Sequence, residues 1–267
     1  MRRLMLTAIV CLPLALRAQA NVETVDSIAA DSSAQKPLPA AEFRFRPVQL
    51  AAPAALVVLG TLGLVDGSPI DKLESHACYD MNPSGRKTKA DEYVQYVPTA
   101  AHLLMGFIPG TRPRHNFRDR VLASATANLL MAAATNTVKY TVKEKRPDSN
   151  SRNSFFSGHT ATAFTGAELV RIEYGPVYGS VAYAAATSVA FMRVWNKRHW
   201  VGDVLAGAGV GILCADAGYW LLPVWKRLFR INDREARRAE KGISAVVAVP
   251  FYQPEDRGAG LSCSITL

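Results

Sequence analysis

Arg193-Val-Trp-Asn-Lys-Arg-His199-Trp-Val-Gly-Asp203 runs directly into Val204-Leu-Ala-Gly207-Ala-Gly-Val-Gly211, and this join decides how the chain is read. The second half belongs to an apolar stretch over 200–222, of a length and composition that predict a helix. Gly207 and Gly211 are four residues apart, so in a membrane helix they fall on one face and let a neighbouring backbone approach closely. A second reading stays open, in which the glycines only thin a packed helix. The first half carries chemistry. On a helix, His199 and Asp203 are neighbours, and a carboxylate beside an imidazole fixes its tautomer and leaves the far nitrogen nucleophilic. The plain alternative is a surface ion pair of little energetic weight.

Working outward, five more apolar segments cover about 47–65, 93–108, 121–141, 158–173 and 175–193. Asp66-Gly-Ser-Pro69, Pro109-Gly110 and Gly175-Pro176 separate them, and Ala184-Ala-Ala186 favours helix. The expectation is an all-α fold: a bundle of about six apolar helices, associated with a membrane. Beyond Ile243 the composition changes. Ile243–Val249 and Leu261–Leu267 have strand composition, consistent with a small C-terminal β-hairpin.

The start of the chain reads as an export signal over residues 1–20: Arg2 and Arg3, an apolar run from Leu4 to Leu16, and Ala18-Gln-Ala20 before the cut. A loose leader follows over 21–46. The bundle is expected over 47–225, and a basic segment with the tail over 226–267. Cys78, Cys214 and Cys263 fit neither a disulfide framework nor a metal site; Cys214 reads as packing, and a Cys78–Cys263 pair is left open.

The chain is 49% hydrophobic with a formal charge of +9. A basic balance fits nucleic acid, an anionic membrane or an anionic substrate, but no nucleic-acid motif accompanies it, and no nucleic-acid partner is expected. The charge is uneven. Residues 66–92 hold four Lys/Arg and six Asp/Glu, 109–120 four Arg and one Asp, and 226–241 seven Lys/Arg and three Asp/Glu. Basic loops stay in the cytoplasm, which turns the His199 end of the bundle toward the periplasm. A cleaved signal with six full crossings would place that end on the opposite side. Either the segment with Pro53 is interfacial or re-entrant, or the signal stays, or several segments are buried helices of a soluble periplasmic bundle. The expected location is the bacterial envelope, at the inner membrane with an outward-facing site.

Two other fragments carry matching chemistry. In Lys139-Tyr-Thr-Val-Lys-Glu-Lys-Arg146-Pro147, the cations at 139 and 146 are nearly two helical turns apart. They would share one helix face, with Pro147 helping to end the helix. Two converging cations grip an anion, although a solvated basic helix end has the same composition. Ser157-Gly158-His159 opens an apolar helix. Ser157 is a good N-cap, free N–H groups at the helix start face anions, and Gly158 admits a phosphate to the backbone. His159 stands beside that hole as a proton donor. An ordinary capped helix with a structural histidine is the alternative.

Taken together, the three fragments resemble the type 2 phosphatidic acid phosphatase superfamily, whose signature is K-x6-RP, PSGH and SR-x5-H-x3-D. Here the first part is complete, Phe156 replaces the proline of the second, and Met192 replaces the serine of the third. The resemblance covers 121–222 and implies a helical bundle with a cofactor-free, metal-free phosphatase mechanism. It implies His199 as nucleophile, Asp203 as its orienting group and His159 as the acid. Lys139, Arg146, Ser157, Gly158 and Arg193 would hold the phosphoryl oxygens. The expected partners are a phosphorylated lipid, or a small phosphate ester, and the membrane. The expected activity is a lipid phosphate or pyrophosphate phosphatase. The alternatives are a soluble broad-specificity acid phosphatase, a vanadate-dependent haloperoxidase and a non-catalytic lipid-binding envelope protein.

Overall fold

The computed structural model describes residues 47–73, 81–229, 245–253 and 258–266. The signal, the leader and Cys78 lie outside these residues, as does the side chain of Cys263. The chain forms two compact units, residues 1–222 and 223–267.

The first unit is a helical bundle. Its helices are α1 (Val48–Leu62), α2 (Ala90–Val94), α3 (Val97–Leu104), α4 (Phe117–Val142), α5 (Gly158–Tyr174), α6 (Pro176–Trp195) and α7 (Val201–Trp220). Each of the six apolar segments becomes helical. The second is broken into α2, α3 and a 3-10 turn over Met105–Phe107, because Pro98 enters at the start of α3 and cannot continue the helix before it. The second unit contains α8 (Leu222–Leu228) and an antiparallel pair, β1 (Ala245–Gln253) and β2 (Gly258–Thr266), registered Ala245 to Thr266 through Gln253 to Gly258.

Helices α5 and α7 form the centre. Helices α3 and α6 pack on α5, and α1 and α4 pack on α7. The largest core cluster joins Phe164, Val170, Tyr183, Val189, Leu205 and Ile212 from α5, α6 and α7. Small residues bring these helices together. A Cβ at Gly207 would sit 2.6 Å from the Ser157 carbonyl oxygen, and one at Gly211 would strike the Ala161 carbonyl of α5. The four-residue glycine spacing therefore serves backbone approach, and the thinning alternative falls. Cys214 is a buried thiol packed with Met131, Phe155 and Phe156, as read from the sequence.

Two local expectations need correction. Helix α4 ends at Val142, where Lys143 takes a left-handed conformation (φ 52°). Lys139 and Arg146 therefore do not share a helix face, and Pro147 is not the terminator. His199 lies outside the helix as well: Trp200 is extended at the N-cap, and Asp203 is the third residue of α7. The His199–Asp203 contact survives because the Asp203 side chain reaches back over the helix start, where unpaired N–H groups favour a carboxylate.

Candidate active site

Backbone hydrogen bonds sew the three fragments together before any side chain meets. Ser154 N–H donates to Glu144 O (3.0 Å), Arg146 N–H to Ser151 O (3.0 Å) and Ser157 N–H to Asp203 O (3.0 Å). Trp200 Nε1 donates to Lys145 O (2.8 Å). The loop after α4, the start of α5 and the turn before α7 thus form one surface. The turn between α6 and α7 is tight, with Lys197 left-handed (φ 56°) and Arg198 N–H bonded to Arg193 O at 3.0 Å.

Asp203 organises the buried floor. Its Oδ2 accepts from Ser154 Oγ (2.5 Å), Trp200 N–H (2.9 Å) and His199 Nδ1 (3.2 Å). The Glu144 carboxyl also bonds Asp203. With its proton on Nδ1 and directed at Asp203, His199 carries its lone pair on Nε2. His199 is 1% exposed. Burial pushes its pKa down to about 4 against the raising effect of Asp203, so the imidazole is neutral at neutral pH.

Three cations converge on the same place. Lys139, from the last turn of α4, lies within electrostatic reach of Arg146, Arg193 and Asp203. Arg146, in the loop, donates from Nε to Asn153 Oδ1 (2.8 Å). Burial and the nearby Arg193 hold its pKa below the ordinary arginine value. Arg193, in the last turn of α6, is 5% exposed and donates from NH1 to Asp91 Oδ2 at 2.6 Å.

Ser157 occupies the N-cap position of α5, but its hydroxyl makes no capping bond and instead accepts from Thr160 Oγ1 (3.1 Å). A Cβ at Gly158 would meet only Thr135 Cγ2, at an ordinary 3.4 Å. Packing therefore does not require glycine at 158 as it does at 207, which is consistent with open space beside the helix start. His159 sits among Arg193, Asp91, His199 and Lys139; burial, with Arg193 next, lowers its pKa to about 4. A cavity of about 290 Å³, lined by Asn136, Lys139, Tyr140, Lys143, Arg152 and Asn153, meets this cluster at Lys139.

The structure thus brings all eight residues singled out in the sequence to one end of the bundle. The two departures from the signature have separate fates. Phe156 is 2% exposed in the core with Met131, Ala161 and Ala206, and burying a phenyl ring contributes about 2 kcal/mol. Met192 packs against the main core cluster. The sequence reading missed Asp91, Ser154 and Glu144. Ser154 and Glu144 sit in polar loops with no local spacing to mark them, and Asp91 lies 102 residues before its partner.

Residues 120–227 match the family model described as the PAP2 superfamily. Over 139 residues the chain is 43% identical to a lipid A 1-phosphatase of Porphyromonas gingivalis, a match covering 50% of this chain and 31% of that protein. The chain thus spans about a third of the length of the curated relative it matches. Two solved structures are similar. The crystal structure of Aquifex aeolicus LpxE aligns with TM-score 0.43 and 21% identity, over 55% of this chain and 94% of that one. A transmembrane PAP2 type phosphatidylglycerolphosphate phosphatase from Bacillus subtilis aligns with TM-score 0.39 and 18% identity, over 68% and 98%.

Proposed function

We propose that this chain, whose residues 120–227 match the PAP2 superfamily model, is a phosphoric monoester hydrolase acting on a lipid phosphate or pyrophosphate at a membrane. The carrying observation is the buried His199–Asp203 pair set among Lys139, Arg146 and Arg193. Phosphoryl transfer asks the protein mainly for positioning and charge neutralisation, and this cluster supplies both.

In this reading His199 Nε2 attacks phosphorus as the bond from phosphorus to the ester oxygen breaks. His159 gives the departing oxygen a proton. A phosphohistidine results, with Asp203 stabilising the positive imidazole through Nδ1–H. Water, deprotonated by His159, then attacks phosphorus, and the P–N bond breaks to return neutral His199 and inorganic phosphate. Lys139, Arg146 and Arg193, with Ser157 and the Gly158 backbone, hold the phosphoryl oxygens throughout.

His159 is neutral above about pH 4 in the empty site, which does not suit an acid. The substrate resolves this. A phosphoryl dianion offsets the nearby Arg193 and Lys139 charges and raises the His159 pKa, so His159 takes up a proton from solvent as the substrate binds.

The lipid reading is supported by apolar surface. Phe117–Val142 and Val201–Leu228 are long and apolar enough to cross a membrane by length and composition. The apolar window of the first is only 28% buried in the bundle; Leu129 on it, and Val177, Val181 and Phe191 on α6, are exposed. Such surface suits acyl chains better than water. The site is taken to face the periplasm, from the loop charges above. Phosphate release by detergent-purified protein, over lipid and soluble phosphates with EDTA present, tests the reading. Turnover of the lipid esters is the expected result. Turnover of soluble esters alone would favour the broad-specificity phosphatase, and none at all would sink the hydrolase reading.

A further inference from the structure

Arg193 is held by a residue that stands outside all three fragments. Asp91, in the first turn of α2, is 2% exposed. Its Oδ2 accepts Arg193 NH1 at 2.6 Å and its Oδ1 accepts Asn196 Nδ2 at 3.3 Å, so neither carboxylate oxygen turns freely. The segment carrying it is fastened to the end of α6. Asn196 Oδ1 accepts Thr88 N–H (2.9 Å) while Asn196 Nδ2 donates to Thr88 O (2.9 Å). Asn82 Nδ2 donates to Trp195 O (3.0 Å) and Arg86 O (2.8 Å).

Two physical needs meet at this contact. A buried guanidinium close to two further cations requires a counter-charge, since desolvating an unpaired cation is strongly unfavourable. A planar fork is useful for a tetrahedral anion only if its plane is fixed. Asp91 takes NH1, whereas Arg193 Nε has no hydrogen-bond partner among the described residues despite its burial. The edge away from Asp91 is therefore the edge with donor capacity to spend on phosphate.

We propose that Asp91 is a positioning residue for the reaction: it fixes the Arg193 fork toward the phosphoryl group and, as a fixed anion, weakens the hold on the inorganic phosphate product. The inference rests on the phosphatase reading above. It gives Asp91 opposite effects on turnover and on product affinity, which a purely structural strap would not have. The proximity of Asp91 to His159 adds to its effect on turnover.

The test uses the full chain in detergent, with kcat from phosphate release and orthophosphate affinity from titration calorimetry. Asp91→Asn keeps the shape and removes the charge; kcat is expected to fall about tenfold while orthophosphate binds about fivefold more tightly. Asp91→Glu keeps the charge and moves it; kcat falls with orthophosphate affinity within about twofold of the parent. In an Arg193→Lys background, where no planar fork remains to be fixed, Asp91→Asn is expected to lower kcat by less than about threefold more, while the charge effect on orthophosphate persists. Unchanged or weaker orthophosphate binding in Asp91→Asn, or the full tenfold loss of kcat on adding Asp91→Asn to Arg193→Lys, would overturn the inference. A parent protein that neither binds orthophosphate nor releases it from any ester would instead bring down the phosphatase reading.

Discussion

The bundle holds two buried polar clusters at opposite ends of the same two helices. Asp203 and Tyr219 mark the ends on α7, sixteen residues or roughly 24 Å apart along the helix. At the far end, Glu173 accepts from His115 N–H (2.5 Å), His115 Nδ1 (2.9 Å) and Tyr219 Oη (2.6 Å). Tyr219 Oη in turn accepts from His102 Nε2 at 2.9 Å. Arg120 NH1 donates to the carbonyls of His102 (3.2 Å) and Leu103 (3.0 Å) and to Tyr174 Oη (2.5 Å). Both ends are built from histidine, a carboxylate and arginine, and burial brings His102 to about 4 just as it does His199. The difference is in charge balance. The far end holds a single arginine against carbonyl and hydroxyl acceptors, and Arg120 Nε, like Arg193 Nε, has no hydrogen-bond partner among the described residues. The near end gathers three cations around Asp203 and Asp91 and leaves Arg193 Nε unspent. Residue type therefore does not distinguish the two clusters; the number of cations that converge on each does.

Mutations at each end put this contrast at risk. His199→Ala is expected to lower phosphate release by about 10⁴-fold or more, leaving the melting temperature within a few degrees of the parent. Activity retained in that variant would remove His199 as nucleophile. Glu173→Ala should show the reverse pattern. Three donors, two on half-buried His115 and one on buried Tyr219, lose their acceptor, at a cost of about 3 kcal/mol in a denaturation experiment, with kcat per folded molecule unchanged. A large loss of kcat there would mean the far end is not merely structural.

The glycines sharpen the contrast at smaller amplitude. Gly207→Ala drives a Cβ into the Ser157 carbonyl and should cost about 2 kcal/mol of stability along with activity. Gly158→Ala meets no such backbone; it should change stability by less than about 1 kcal/mol yet weaken orthophosphate binding about tenfold. Equal stability losses would show that Gly158 is there for packing.

The smallest effect is a shift along the pH axis. The proton on His159 is lost above about pH 4 in the empty site and retained to higher pH once a phosphoryl dianion offsets Arg193. The alkaline limb of kcat should therefore lie above that of kcat/KM by about one pH unit or more, and His159→Gln should abolish it. Coincident limbs would assign the proton to another group.

Much of this was legible in the chain itself. Apolar composition and Gly/Pro breakers marked six helical segments, because helix formation is local and its signals lie within a few residues. The spacing of Gly207 and Gly211 carried the close approach of α7 to α5. The eight candidate residues were legible as a group because they fall in three short runs with fixed internal spacing. Local detail at run ends was less legible. Lys143 turned left-handed and Trp200 turned extended, moving Arg146 and His199 off the helices on which spacing alone would place them.

What the sequence determined by itself was the bundle and which residues gather at one of its ends. The tertiary structure alone decided that Asp91 meets Arg193 across 102 residues and that Ser154 and Asp203 share a hydrogen bond across 49. Such pairs leave no periodic trace: their partners are chosen by which helix ends the packed core brings together, and that choice is made only when the whole bundle closes.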